Sequence, residues 1–336
     1  GGLLHTNIGC CALFAATSGS SVATAATIGT VALPSLQQRG YSMRDALGSL
    51  AAGGTLGILI PPSVNMIVYG SLTNNSIGKL FIAGVIPGLL LTLCFMLYIF
   101  ASHALRGHTT RERSVALAER LRLLVNLVPP LIVFGVVMGS IYTGLATATE
   151  SAALGVVIAL VLVCWSGKLS LELLKNCFQQ TARISGMILL IIATAFVLNV
   201  TISLTGVADQ LTKWVTSFGL TGMQMLFALI VFYLILGMFM DVLSMQVATI
   251  PLTYPIVTAL GVDPIWYGIF IVLMCELGLI TPPVGMNLFV VHGIRPDKGG
   301  IEDAIWGALP YALIMMGFTV FLMYAPQVAL WLPARM

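Results

Sequence analysis

Apolar residues run along this chain in uncharged stretches, and the charged positions gather in the gaps between them. Leu80–Ala101 and Ile184–Ala208 each pass twenty residues without a charge, the length a helix needs to cross a bilayer. The pattern predicts spans at 48–73, 80–101, 123–145, 147–165, 183–205, 264–292 and 304–331. Two further uncharged stretches, 8–36 and 221–260, read differently. Seven of the fourteen residues from Thr17 to Thr30 are Ser or Thr, and most of the others are Gly or Ala. Polar, irregular backbone is tolerated at membrane depth only where protein or a wet cavity shields it. Both stretches are therefore expected to be re-entrant helical hairpins.

Behind each expected hairpin lies nearly the same phrase. Residues 56–62 read LGILIPP and residues 277–283 read LGLITPP, 221 positions apart. Proline inside a helix removes a backbone donor and clashes with the preceding turn, at about 3 kcal/mol or more, so two in series break it. Pro129-Pro130, without such a partner phrase, reads as a kink in an ordinary span. Counting spans places the two broken helices in opposite directions, which makes the halves inverted repeats. Shifting the span 183–205 back by 221 lands before residue 1, so the first half is expected to lack its opening helix and the natural start to lie upstream. The division predicted is 1–73 and 206–293 as the paired hairpin-and-broken-helix segments, with 74–205 and 294–336 as a helical scaffold.

Composition agrees with lipid as the solvent. The 336 residues are 58% hydrophobic and 8% charged, with a mean hydropathy of +1.02, where soluble domains carry about a quarter charged residues. The net charge of +3 is too small and too dispersed for a nucleic-acid partner. Cationic side chains split unevenly across the predicted topology. Arg39, Arg44, Arg106, Arg111, Arg113, Arg120, Arg122, Lys168, Lys175, Arg183, Arg295 and Lys298 fall on one face, against Lys79, Lys213 and Arg335 on the other. The first face is thus cytoplasmic, and the C-terminus is expected on the opposite side. Six cysteines show no metal-ligand spacing.

A broken helix leaves free carbonyls for a cation and a half-helix N-terminus whose N–H groups and dipole attract an anion. Inverted repeats with such helices at mid-bilayer are transporter architecture. Ser18, Ser20 and Ser21 at the first tip are expected to meet Ser63 and Asn65 beyond the Pro61-Pro62 break. Asp241 at the second tip is expected to meet Thr281 and Asn287 around Pro282-Pro283. Their hydroxyl, amide, carboxylate and carbonyl oxygens suit sodium. Each Ser or Thr taken singly reads more readily as helix packing than as a ligand, and their coincidence with the tips is what favours a site. Three acids stand at membrane depth, where a charge is costly and function is the default reading. Asp241 reads as a cation ligand and Glu150 as a helix cap, while Glu276 reads as either an anchor for the broken helix or a functional group. Phosphate-loop, HExxH and paired-acid patterns are missing, so neither ATP hydrolysis nor an intramembrane enzyme is expected.

The stretches TSGSSVATAATIG, GGTLGILIPPSVNMIVYG, TATESAA and LGLITPPVGMNLFVVHG resemble the large membrane subunit of the tripartite ATP-independent periplasmic (TRAP) transporters, from residue 1 to about 331. The resemblance implies a sodium-driven importer of organic acids such as dicarboxylates or sialic acids in a bacterial inner membrane. It implies two partners, a small four-helix membrane subunit and a periplasmic substrate-binding protein, and an elevator movement of the hairpin domain against a scaffold. By motif it places one sodium around Ser18 with the Gly53, Thr55 and Gly57 segment and another around Asp241, Gly278 and Thr281. Substrate would lie near Ser18 and Ser63. Two details depart from the family pattern: no proline precedes the Thr-Glu pair of TATES, and no acid follows Val-Ala in SSVAT. A stand-alone sodium/carboxylate carrier is the alternative.

Overall fold

The computed structural model describes residues 2–105, 125–297 and 299–336, and these are helical throughout apart from turns and short links. Of the expected cytoplasmic charges, Arg106, Arg111, Arg113, Arg120, Arg122 and Lys298 lie outside the described residues. So does the start of the 123–145 span.

The first hairpin is α1 (Gly2–Ser18) and α2 (Ser21–Gln38). The first broken helix follows as α3 (Met43–Leu59) and α4 (Val64–Thr73), then α5 (Ile77–Leu105). Outer helices come next: α6 (Val128–Tyr142), α7 (Ala148–Trp165) and α8 (Leu171–Thr205). A short α9 (Val207–Ser217) bends by 117° into α10 (Gly222–Gly237), which pairs with α11 (Val242–Ala259) as the second hairpin. The second broken helix is α12 (Pro264–Leu279) and α13 (Met286–Gly293), followed by α14 (Glu302–Tyr324) and the single turn α15 (Gln327–Leu330). Among the described residues six helices are long and apolar enough to cross a membrane, counting α3 and α4 together, or seven if the bent pair α9–α10 is one span.

The 221-residue offset seen between the two Pro-Pro phrases extends to whole elements. It carries Ser21–Gln38 onto 242–259, the bounds of α11, and Met43 onto Pro264, the start of α12. Both Pro-Pro peptide bonds are cis. The equivalent helices α3 and α12 form the centre, with every residue buried from Ala46 to Leu59 and from Trp266 to Leu279. α14 crosses α3 so closely that a side chain on Gly48 would strike the Gly307 backbone. By contrast α7 buries only Ser151 and Gly155, and α8 only Ala195.

Three expectations are corrected here. Pro129-Pro130 does not kink a span. It occupies the first turn of α6, where the missing N–H would be unpaired anyway. α8 begins at Leu171 rather than near 183. Its 35 residues reach about 50 Å at 1.5 Å per residue, more than the hydrocarbon core, so its polar first turns with Glu172, Lys175 and Arg183 continue as helix outside it. The last long helix ends at Tyr324 rather than 331, ahead of Pro326. The Glu150 cap is as expected: Thr147 caps α7 and its own backbone N–H donates to Glu150 Oε2 at 2.7 Å.

Candidate functional site

Both hairpin tips lie against the break of their own broken helix. Val64 donates its backbone N–H to the Gly19 carbonyl at 3.5 Å, and Val284 donates to the Met238 carbonyl at 3.1 Å. Glycine permits the approach. A Cβ on Gly57 would stand 2.6 Å from the Ser20 carbonyl oxygen, and one on its counterpart Gly278 would stand 2.9 Å from the Gly237 Cα. Between the tips and the breaks is a cavity of about 420 Å³, a size that suits a small organic molecule.

Helix ends supply most of its wall. First-turn residues Val22 of α2, Asn65 of α4, Val242 of α11 and Met286 of α13 all line it. Four helix N-termini therefore open on one space. The closing turns of α1, α3, α10 and α12 reach the same cavity through Ser18, Ile58, Gly237 and Gly278. Ile184, Met187 and Ile188 of α8 complete it. Among the described residues Asp241 is the one charged residue of the lining, and none of them there is Lys, Arg or His. An anion there meets helix dipoles and N–H groups, and a cation meets carbonyls, hydroxyls and one carboxylate.

The expected residues divide into two groups. Ser18, Ser20, Asn65, Asp241 and Gly278 reach the cavity wall, as does Ser21. Ser18 Oγ is 2.8 Å from Thr24 Oγ1, which donates to the Ser20 carbonyl at 2.7 Å. Ser20 caps α2 by accepting from Ala23, and Asp241 Oδ2 caps α11 by accepting from Leu243 and Ser244 at 3.1 Å. Asn65 is buried and its Nδ2 has no hydrogen-bond partner among the described residues.

The remaining residues stand behind the wall. Ser63 is buried as the cap of α4, accepting from Met66. Thr55 Oγ1 donates to Ala52 and Thr281 Oγ1 to Leu277, each within its own helix. Gly53 packs on Cys11, Gly57 lies under the first tip, and Pro61, Pro62, Pro282 and Pro283 form the breaks.

Asn287 departs from expectation. Instead of joining Asp241 and Thr281, it reaches into the other half. Its Nδ2 donates to Ser21 Oγ at 2.7 Å and to the Ala51 carbonyl at 3.1 Å. Gly54 makes room, since a Cβ there would be 3.1 Å from that nitrogen. Sequence reasoning missed this link, the α8 wall, and a buried network in which Tyr233 meets Thr249, Thr253 and Tyr267. The tyrosines and threonines recur at spacings of four and fourteen residues, a faint signal without a map of which helices touch.

These features define a polytopic helical membrane transport protein, its site made from helix ends rather than from a charged side-chain cluster. The chain matches, over residues 1–328, the family described as the tripartite ATP-independent periplasmic transporter, DctM component, and belongs to that family. It is 37% identical over 334 residues to the C4-dicarboxylate TRAP transporter large permease protein DctM of Pseudomonas aeruginosa, covering 99% of this chain and 78% of that protein. It is 31% identical to the ectoine/5-hydroxyectoine TRAP transporter large permease protein UehC of Ruegeria pomeroyi, with 99% and 77% covered. Against the sialic acid TRAP transporter permease protein SiaT of Haemophilus influenzae it is 33% identical, covering 99% of this chain and 54% of that protein. These are transporters rather than enzymes.

Proposed function

We propose that this chain is the substrate-translocating subunit of a sodium-driven importer of an organic acid. The observation that carries this reading is the meeting of four helix N-termini on a cavity with no cationic side chain. Such a site neutralises a carboxylate with backbone N–H groups and dipoles. Sodium is a second cargo, held by oxygen atoms. Ser18 with the 53–57 segment forms one position. Asp241 with the ends of α10 and α12, Gly278 and Thr281, forms the other. Asn65 and the Ser18 and Ser20 hydroxyls contact the acid, with Ser63 holding the start of α4 behind them and Asn287 fixing the first tip from behind. The Pro-Pro breaks keep all these helix ends at one depth.

The energetics suit the arrangement. Each sodium entering down the membrane potential contributes about 2.3 kcal/mol per 100 mV. The two hairpins re-enter from opposite faces, and they move with α3, α4, α12 and α13 as an elevator against the outer helices. The relatives are permease components of TRAP transporters, which supports a binding protein and a small membrane subunit as partners. Their named substrates range from dicarboxylate to ectoine, so the particular acid is a matter for measurement.

The test is uptake into proteoliposomes that contain the full-length subunit and its small partner, under an imposed sodium gradient. The binding protein encoded beside it, loaded with a labelled organic acid, is added or left out. Uptake that needs both sodium and the binding protein is the expected result. Uptake with sodium alone would replace this reading with a stand-alone carrier, and none under any gradient would reject sodium-driven import.

A further inference from the structure

The two ends of the cavity share a backbone plan but not a chemistry. The 221-residue offset carries Ser21, Ser63 and Asn65 onto Val242, Val284 and Met286. In the first half Ser18, Ser20, Ser21 and Asn65 reach the cavity wall. In the second half Val242, Val284 and Met286 reach it, with Met240 beside them at the tip. Asp241 is the exception, and its Oδ2 already accepts from the Leu243 and Ser244 N–H groups. A carboxylate of the chain itself thus answers the N-terminus of α11.

The apolar surface continues beyond the tip, through Ile184, Met187 and Ile188 of α8. One carboxylate can be held at the first tip, by the helix N-termini of α2 and α4 and the hydroxyl and amide groups beside them. A second carboxylate at the other end would meet the Asp241 charge and, among the described lining residues of that half, no hydroxyl or amide side chain. Enclosing a charge without a partner is costly. An ammonium end would meet Asp241, but that carboxylate is committed to sodium in the organic-acid reading on which this inference rests. A hydrocarbon end meets Val, Ile and Met, and the unbranched, polarizable Met side chain adapts to irregular shapes.

We propose that this site selects a monocarboxylate with an apolar body, its acid end held at the first hairpin tip and its hydrocarbon end packed against the second. Met286 is a determinant of that choice, because it stands where the first half has the amide of Asn65. Dicarboxylates and acids with a polar far end are then poor cargo.

Three four-carbon acids that differ only at the far end test this: butanoate, succinate and 4-aminobutanoate. The full-length subunit with its small partner is placed in nanodiscs in sodium or potassium chloride. The melting midpoint is followed as each acid is added, since a ligand that binds the native state raises it. No binding protein is present, so its selectivity does not enter. Sodium-dependent binding of butanoate at least about tenfold tighter than of either other acid is expected. Affinity should also rise about fourfold per added CH2 through pentanoate and hexanoate. Met286→Asn should narrow the gap between butanoate and succinate by about tenfold. Tighter wild-type binding of succinate or 4-aminobutanoate, or an affinity flat along the series, overturns the proposal and leaves organic-acid import standing. A butanoate-to-succinate ratio unchanged in Met286→Asn also overturns it, and should that variant not fold, the wild-type series decides. Wild-type protein that binds none of the acids in sodium would overturn this proposal together with the organic-acid reading.

Discussion

At the first tip the cap of α2 is Ser20, and hydroxyls from Ser18, Ser20 and Ser63 surround the break without a charge. At the second tip the cap of α11 is Asp241, and α13 has Gly285 as its N-cap, with no side-chain cap at all. Yet the backbone is nearly the same in both halves: a cis Pro-Pro bond, a glycine beneath the tip, and one hydrogen bond from beyond the break to the tip carbonyl. The shared parts fix where the helix ends lie. The parts that differ set which charge each end can hold. Asn287 reaches from the second half to Ser21 of the first, and its counterpart in the first half, Met66, makes no such reach in return; Tyr69 and Asn75 cross the other way, to the Pro264 carbonyl and Tyr254.

Asp241→Asn breaks this comparison most strongly. Asn and Asp are equally good N-caps, so thermal stability should hold while sodium-dependent uptake falls about 10- to 100-fold, as expected when a charge-assisted contact is lost. Uptake at the wild-type level would make Asp241 a cap and nothing more. Next come Gly57→Val and Gly278→Val, which force a side chain against the tips. Each should cost about 1–3 kcal/mol, with Gly57 the worse because its obstacle is a carbonyl oxygen at closer range. Denaturation midpoints in detergent would show this, and two unaffected midpoints would mean the tips are not held as described.

A smaller effect is expected at the link between halves. Asn287→Ala leaves Ser21 and the Ala51 carbonyl short of a donor, worth about 1–2 kcal/mol, while Met66→Leu should be close to neutral. Hydrogen exchange at residues 18–24 would report the loosened first tip, and equal exchange in both variants would contradict the link.

The smallest effect concerns the connection from α13 to α14, where Arg295 binds Asp297 and, at 3.0 Å, Asp303. The hydrogen bond from Arg295 holds the Asp297 carboxyl below the usual carboxylate range. A lowered folded-state value gives stability that is present above the unfolded value, about pH 4. It is lost as pH falls through the depressed one. For a half-exposed pair this amounts to under about 1 kcal/mol. Asp297→Asn should remove that part of the acid sensitivity, seen as a smaller drop in melting temperature on acidification. The first half has Asn74 at the position of Arg295, so its link should show no such dependence.

Much of this architecture could be read from the chain. Uncharged runs marked the helices, because lipid accepts no unpaired backbone or bare charge. The Pro-Pro phrases marked both breaks, because proline cannot continue a helix, and the Ser- and Thr-rich tip marked the first hairpin. Sequence alone could not separate Pro129-Pro130 from the other two pairs, since a proline breaks a helix or begins one according to where the preceding turn lies. Nor could it say which oxygens reach the cavity. Ser63, Thr55 and Thr281 have the right chemistry but spend their hydroxyls on local caps and carbonyls, while Asn287 crosses to the other half. Local propensity and periodicity act within one helix and are written in consecutive residues. Contacts across 236 and 266 positions, such as Asn287 with Ala51 and with Ser21, exist only once the two halves are packed together. Tertiary packing also decided that Glu276 is fully buried where α12 meets the Leu59 end of α3, a neighbour that α12's own sequence does not name.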